Sequence, residues 1–183
     1  MKLLLLMLIT FIPLQVMTAY ESAFPKTPVG TIEIKTLPAA QILAANGMGG
    51  NYFKENNSLF RPLFRYIQDN DIAMTTPVEA AIEPGAMYFY VGADYKGLEL
   101  KETDRVQVIQ IPARTVLSIG VRGSYSVEHF ERAQQQLLKW FAAQNEWQPA
   151  GPARAVYWNG PFTLGLFKRA EVHFTLQRIE KTD

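Results

Sequence analysis

A chain of 183 residues that is 48% hydrophobic and 12% aromatic can bury one sizeable core, which excludes a disordered protein. Eighteen Lys and Arg stand against 17 Asp and Glu, so there is no basic surplus to neutralise a phosphate backbone, and nucleic acid is not expected as a partner. Two histidines and no cysteine exclude disulfides, cysteine-ligated zinc or iron–sulfur sites and a His-rich catalytic centre.

The first element is the N-terminal segment. After Met1-Lys2, the 18 residues from Leu3 to Tyr20 carry no charge, and Thr18-Ala19 supplies small residues near the end of the apolar run. A short basic start, an apolar stretch and small residues are the pattern of a secretory signal peptide, so residues 1–19 are predicted to direct export to the periplasm or outside the cell. Two alternatives are an uncleaved N-terminal anchor, because 18 residues lie near the lower limit for a membrane span, and a buried first strand. Cleavage would remove Lys2 and leave 17 basic and 17 acidic residues. Residues 20–183 are then expected to form a single domain and a monomer, which meets a membrane only if the leading segment is retained.

An internal repeat organises that domain. The segment beginning at Leu37 (LPAAQILAANGMGG) and the segment beginning at Ile111 (IPARTVLSIGVRGS) align without a gap at an offset of 74 residues. Pro38 meets Pro112, Ala39 meets Ala113, Gly49 meets Gly123, and Leu63-Phe64 meets Leu137-Leu138. The two copies cover about 29–93 and 103–178. Each begins with a strand pattern interrupted by a proline, which cannot donate to a sheet ladder and marks a bulge or bend. A Gly-containing turn and a helix follow. In the first copy Phe53, Leu59, Phe60, Leu63, Phe64 and Ile67 recur at helical spacing, with Pro62 predicting either a start near Arg61 or a kink. In the second, Ser126 is the predicted N-cap and Val127, Phe130, Leu137, Leu138 and Phe141 form the apolar stripe. Two strands close each copy, near 72–80 and 86–92, then near 153–158 and 170–178, with Glu83-Pro84-Gly85 a turn between the first pair. The fold class is α+β: duplicated βαββ units form a curved antiparallel sheet or distorted barrel, with two helices packed on one side.

Two segments carry a resemblance to a known family. LFRYIQDNDIAMTTPV (63–78) and AVYWNGPFTLGLFKRAEVHFTL (155–176) resemble the SOUL haem-binding family, the first through its YI pair, polar loop and IAMT-x-PV, the second through its Tyr, Asn-Gly-Pro turn, aromatic loop and basic-x-Glu-Val strand. The start at Tyr20-Glu21 followed by IEI adds a weaker match. The chain departs from the family's pattern in its first strand, IEIKTLPAAQ, and at Ala170. The resemblance implies the gyrase-inhibitor-like effector-binding fold, in agreement with the repeat, and haem or another flat amphipathic molecule as ligand, held in a cleft between the repeats.

Alternation along the strands selects candidate site residues. Val172, Phe174 and Leu176 share a face that packs under the helices, so Glu171, His173 and Thr175 point to the open side. Tyr88, Tyr90 and Tyr157 are placed with them, giving aromatic walls and one carboxylate suited to a flat or cationic ligand. His173 is the preferred axial or metal ligand if haem binds, and Met74 is a further candidate whose ordinary role is core packing. His129 reads as a capping residue. Catalysis is not expected: no nucleophile elbow is present, and Gly47-Met48-Gly49-Gly50 lacks the Lys-Ser/Thr of a phosphate loop. Two alternatives remain: an envelope interaction or stress protein with a vestigial cleft, and a hydrolase using Glu171.

Overall fold

The computed structural model describes residues 20–95, 97–160 and 162–180; the segment 1–19, predicted to be a signal peptide or anchor, lies outside them. The elements are, in order, β1 (Glu21–Ser22), β2 (Ile32–Leu37), β3 (Ala40–Asn46), α1 (Tyr52–Asp69), β4 (Thr75–Thr76), β5 (Val78–Ala81), β6 (Ala86–Tyr90), β7 (Gln107–Ile111), β8 (Arg114–Arg122), α2 (Val127–Ala142), β9 (Trp147–Pro149), β10 (Arg154–Tyr157) and β11 (Arg169–Arg178). The main sheet runs β2-β8-β11-β10-β5-β6-β3-β7, every pair antiparallel, with β9 attached to β11.

This order is symmetric about its centre. β5 and β10, the equivalent strands of the two copies, pair with each other there. Outward from them, β6 matches β11, β3 matches β8, and β7 matches β2. The prolines explain the ends. Pro38 and Pro112 each divide what reads as one strand into two, β2 from β3 and β7 from β8. The leading strand then crosses over: β2 pairs with β8 of the second copy, and β7 with β3 of the first. The copies are therefore interlocked, each lending its first strand to the other. Gly49 and Gly123, matched in the repeat, both hold positive φ, 94° and 124°, where a side chain would be strained.

Both helices lie on one face. α1 begins at Tyr52 because the Asn51 side chain accepts a hydrogen bond from the Phe53 N–H at 3.0 Å. Of the two alternatives at Pro62, a start near Arg61 is overturned: the cap and the buried stripe of Tyr52, Leu59, Leu63, Tyr66 and Ile67 carry the helix through Pro62, whose missing N–H removes one bond only. α2 is capped by Ser126, as expected, with Phe130, Ala133 and Leu137 buried. These residues meet Leu43, Phe89, Leu117, Val172 and Phe174 from the sheet to form the main core. The opposite, concave face holds a second, smaller cluster of Phe24, Leu37, Ile42, Tyr90, Val116, Val156 and Trp158.

Candidate functional site

The concave face is built around two buried carboxylates. β5, β10 and β11 are neighbours, and Glu79, Val156 and Glu171 stand opposite one another across them, all on the side away from the helices. Glu171 is 1% exposed and Glu79 2%. Charges buried this deeply must be paired and fully hydrogen-bonded, and both are.

Glu171 Oε1 accepts from the Thr27 backbone N–H at 2.8 Å and from the Trp158 indole at 2.7 Å. Oε2 accepts from Lys35 Nζ at 2.6 Å and Ser118 Oγ at 3.0 Å, and lies 2.7 Å from His173 Nε2. Burial by itself would raise the pKa of this carboxyl. The hydrogen bond and charge of His173, then those of Lys35, outweigh burial and hold it down at about 2. Glu79 Oε2 accepts from Tyr90 Oη at 2.5 Å and from Arg114 at 2.6 Å, while Oε1 accepts from Arg154 at 2.8 Å. Burial again opposes ionisation, and the two guanidinium groups overcome it, so its pKa is lowered. The Tyr90 hydroxyl is pushed above the ordinary phenol range, by burial first and by the Glu79 charge second.

The face is roofed by the segment that leads into β2. β1 pairs in parallel with β4, and the Ala23 N–H bonds the Thr76 carbonyl at 2.8 Å. Phe24 then enters the cleft, edge-on to Tyr90 and Trp158 with centroids 5.5 Å away in each case, and 6.0 Å from the His173 ring. Thr27 caps Glu171, and the Gly30 N–H bonds the Gly120 carbonyl at 2.9 Å. The strap passes so near β8 that a Cβ on Gly120 would lie 2.2 Å from the Pro28 carbonyl oxygen and 2.6 Å from that of Thr27, so only glycine fits.

Against this geometry, the sequence-based candidates separate. Tyr90, Glu171 and His173 share the concave face, and Tyr88 lies at its edge under the Arg154 guanidinium, 4.9 Å from the ring centre. Tyr157 does not. Alternation on β10 sends Val156 and Trp158 into the cleft and Tyr157 toward the helices, where its ring packs on Tyr52 (5.7 Å) and Tyr125 (4.3 Å). Small Val156 fits the floor; a tyrosine there would collide with the roof. Met74 also packs into the helix-side core. The expectation of an open face is corrected too: Phe24 and Thr27 fill its middle. The Glu79 network, Lys35, Arg114, Arg154 and Trp158 were missed, though Glu79 between apolar neighbours in VEAA is a legible sign of a buried strand acid.

Space remains at one end of the face. A cavity of about 260 Å³ is lined by Lys26, Thr27, Pro28, Val29, Val121, Trp158, Arg169 and Ala170. Its wall is the Trp158 indole, its sides are aliphatic, and its charged groups are two cations; Lys26 Nζ lies 4.9 Å from the indole centre.

The profile of the SOUL heme-binding protein family matches residues 18–175. The chain belongs to the SOUL family. That family is a ligand-binding rather than a catalytic one. No curated protein matches the chain in sequence. Among solved structures, the EcmrR C-terminal domain superposes with a TM-score of 0.65 at 15% identity, covering 81% of this chain and 98% of that one. The longer EcmrR chain in its DNA complex gives 0.65 at 14% identity, and there this SOUL protein covers 81% of itself and 58% of EcmrR. A hydrolase from Listeria innocua gives 0.52 at 12% identity, with 82% and 94% covered. Identities this low establish a shared fold alone.

The residues fit part of a haem and not the rest. The aromatic wall and the two cations suit a flat ring bearing carboxylates. His173 does not suit the iron as arranged: it is 3% exposed, Phe24 stands over it, and its Nε2 is engaged by Glu171. Among the described residues no cluster of three or more His, Asp or Glu is arranged to hold a metal ion.

Proposed function

We propose that this SOUL protein binds a flat, amphipathic, anionic small molecule, with haem and related tetrapyrrole carboxylates as the first candidates, at the Trp158 end of the concave face. The observation that carries this reading is the cavity between Trp158, Lys26 and Arg169. Pro28, Val29 and the buried Trp158 indole give the cavity an apolar lining for a flat ring, and the cations offer charge-assisted partners to carboxylates. A cationic ligand is disfavoured, because Lys35, Arg114 and Arg154 already neutralise both carboxylates from within. The ring, rather than the iron, is the recognised part, since His173 is committed to Glu171. The same commitment weighs against hydrolysis by Glu171. A carboxylate whose pKa is held down at about 2, with five residues hydrogen-bonded to it, has neither the lone pair nor the pKa for acid–base work near neutral pH.

The test is a haemin titration followed by the Soret band. The expected result is saturable, one-to-one binding, weakened about tenfold or more by Arg169→Glu as an opposite charge replaces a carboxylate partner. His173→Ala should leave the band position unchanged. Non-saturating uptake, or full affinity in Arg169→Glu, would overturn the reading. Export to the periplasm or beyond belongs to the same proposal and rests on residues 1–19; N-terminal sequencing of the protein from its native cells should find a start near Tyr20.

A further inference from the structure

The loop between β10 and β11 exposes apolar side chains in a way that neither the core nor the cavity uses. Phe162 is 98% exposed, Leu164 70%, Leu166 71% and Phe167 57%. Four large apolar residues in a run of six, all facing solvent, cost solubility and mark an interaction site.

The loop is a constructed projection. Its stem is closed by the Arg169 N–H donating to Asn159 Oδ1 at 2.7 Å. The Tyr125 hydroxyl accepts from the Asn159 N–H at 2.9 Å and donates to the Arg169 carbonyl, also at 2.9 Å. Its tip is a turn of 3₁₀ helix, Gly165–Phe167, with the Phe167 N–H bonded to the Leu164 carbonyl at 2.8 Å. Gly165 sits so near Ser124 that a Cβ would lie 2.3 Å from its Oγ. The tip is thus pinned while its apolar side chains point outward.

Cations surround the base. Arg122 and Arg169 stand directly opposite on β8 and β11, and neither has an ion pair among the described residues. Like charges so placed repel each other. Lys168 adjoins them over the Tyr125 ring. Arg169 lines the cavity, whereas Arg122 and Lys168 do not, and an anionic surface against these two relieves the repulsion. An apolar tip whose base carries cations with no carboxylate partner among the described residues has the chemistry of interfacial insertion. Among the described residues no helix is long and apolar enough to cross a bilayer, so the contact is with its surface.

We propose that the 162–167 loop docks the protein on an anionic bilayer surface, inserting Phe162, Leu164, Leu166 and Phe167 while Arg122 and Lys168 meet lipid headgroups. The chain has no cysteine, so the full-length Phe162→Cys variant takes a single environment-sensitive fluorophore at the tip. A Lys139→Cys label on the exposed side of α2 serves as reference, and any contribution of residues 1–19 to vesicle binding is common to both. Vesicles of phosphatidylcholine with phosphatidylglycerol should blue-shift and brighten the label at 162 and leave that at 139 unchanged. Pure phosphatidylcholine should give about a tenfold weaker response, as should anionic vesicles with a Lys168→Glu, Arg122→Glu chain. A tip label that stays water-like on anionic vesicles overturns the proposal. So does an equal response to neutral vesicles, or a shift without vesicles that grows with protein concentration, which would assign the loop to a second copy of the chain.

Discussion

The two faces of the sheet solve the same burial problem by opposite means. The helix side is packed with apolar side chains and a trio of tyrosines, and it leaves the Tyr157 hydroxyl buried without a partner. The concave side buries two carboxylates and satisfies every one of their oxygens with named donors. Packing alone does not call for buried ions, and well-packed apolar residues stabilise as well or better. What the networks do supply is a fixed position for Trp158 and for the strap residue Thr27, both of which line the cavity.

That contrast can be broken by mutation, and the largest effect is expected at Glu171. Glu171→Ala strands Lys35, His173 and the Trp158 indole around a lost charge and should cost about 3–5 kcal/mol in urea unfolding; an apolar substitution on the helix side that loses only packing volume, such as Ile67→Val, should cost about 1 kcal/mol. Acid should reach the concave face first. The Glu171 pKa is depressed from 4.5 to about 2, so its stabilisation is complete above pH 4.5 and is lost as pH falls from there toward 2. The shift corresponds to a loss on the order of 3 kcal/mol, measurable as a falling urea midpoint, and Glu79 acts in the same direction. An unchanged midpoint over that window would mean that the carboxylates are not paired as described. The two tyrosines give the sharpest contrast at the smallest scale. Tyr90→Phe removes a hydrogen bond to a buried charge and should cost about 1.5–3 kcal/mol. Tyr157→Phe removes a hydroxyl with no partner and should stay within about 0.5 kcal/mol of the natural chain.

How much of this was legible in the sequence follows from the range of the interactions. The repeat, the two helices, the Ser126 cap and the co-facing pair Glu171 and His173 are local patterns, and each was read correctly. Tyr157 was assigned to the wrong face because alternation gives two faces and does not say which is inside; only the Tyr52 and Tyr125 rings, contributed by other segments, decide it. Pro62 misled the helix start because the Asn51 cap outweighs one lost hydrogen bond. The strap was invisible, since Phe24 to Gly30 has no periodicity and its path depends on Gly120, ninety residues on. The ion networks join residues as distant as Lys35 and Glu171, 136 positions apart, and arise from the exchange of β2 between the copies.

The central claim, that a flat anionic ring is held at the Trp158 end of the concave face, is tested most directly by the indole N–H resonances of Trp140, Trp147 and Trp158 during titration with iron-free protoporphyrin. The Trp158 signal should shift and saturate at one equivalent while Trp140 and Trp147 stay in place. A titration that moves Trp140 or Trp147 and leaves Trp158 untouched, or that moves none of the three, would contradict it.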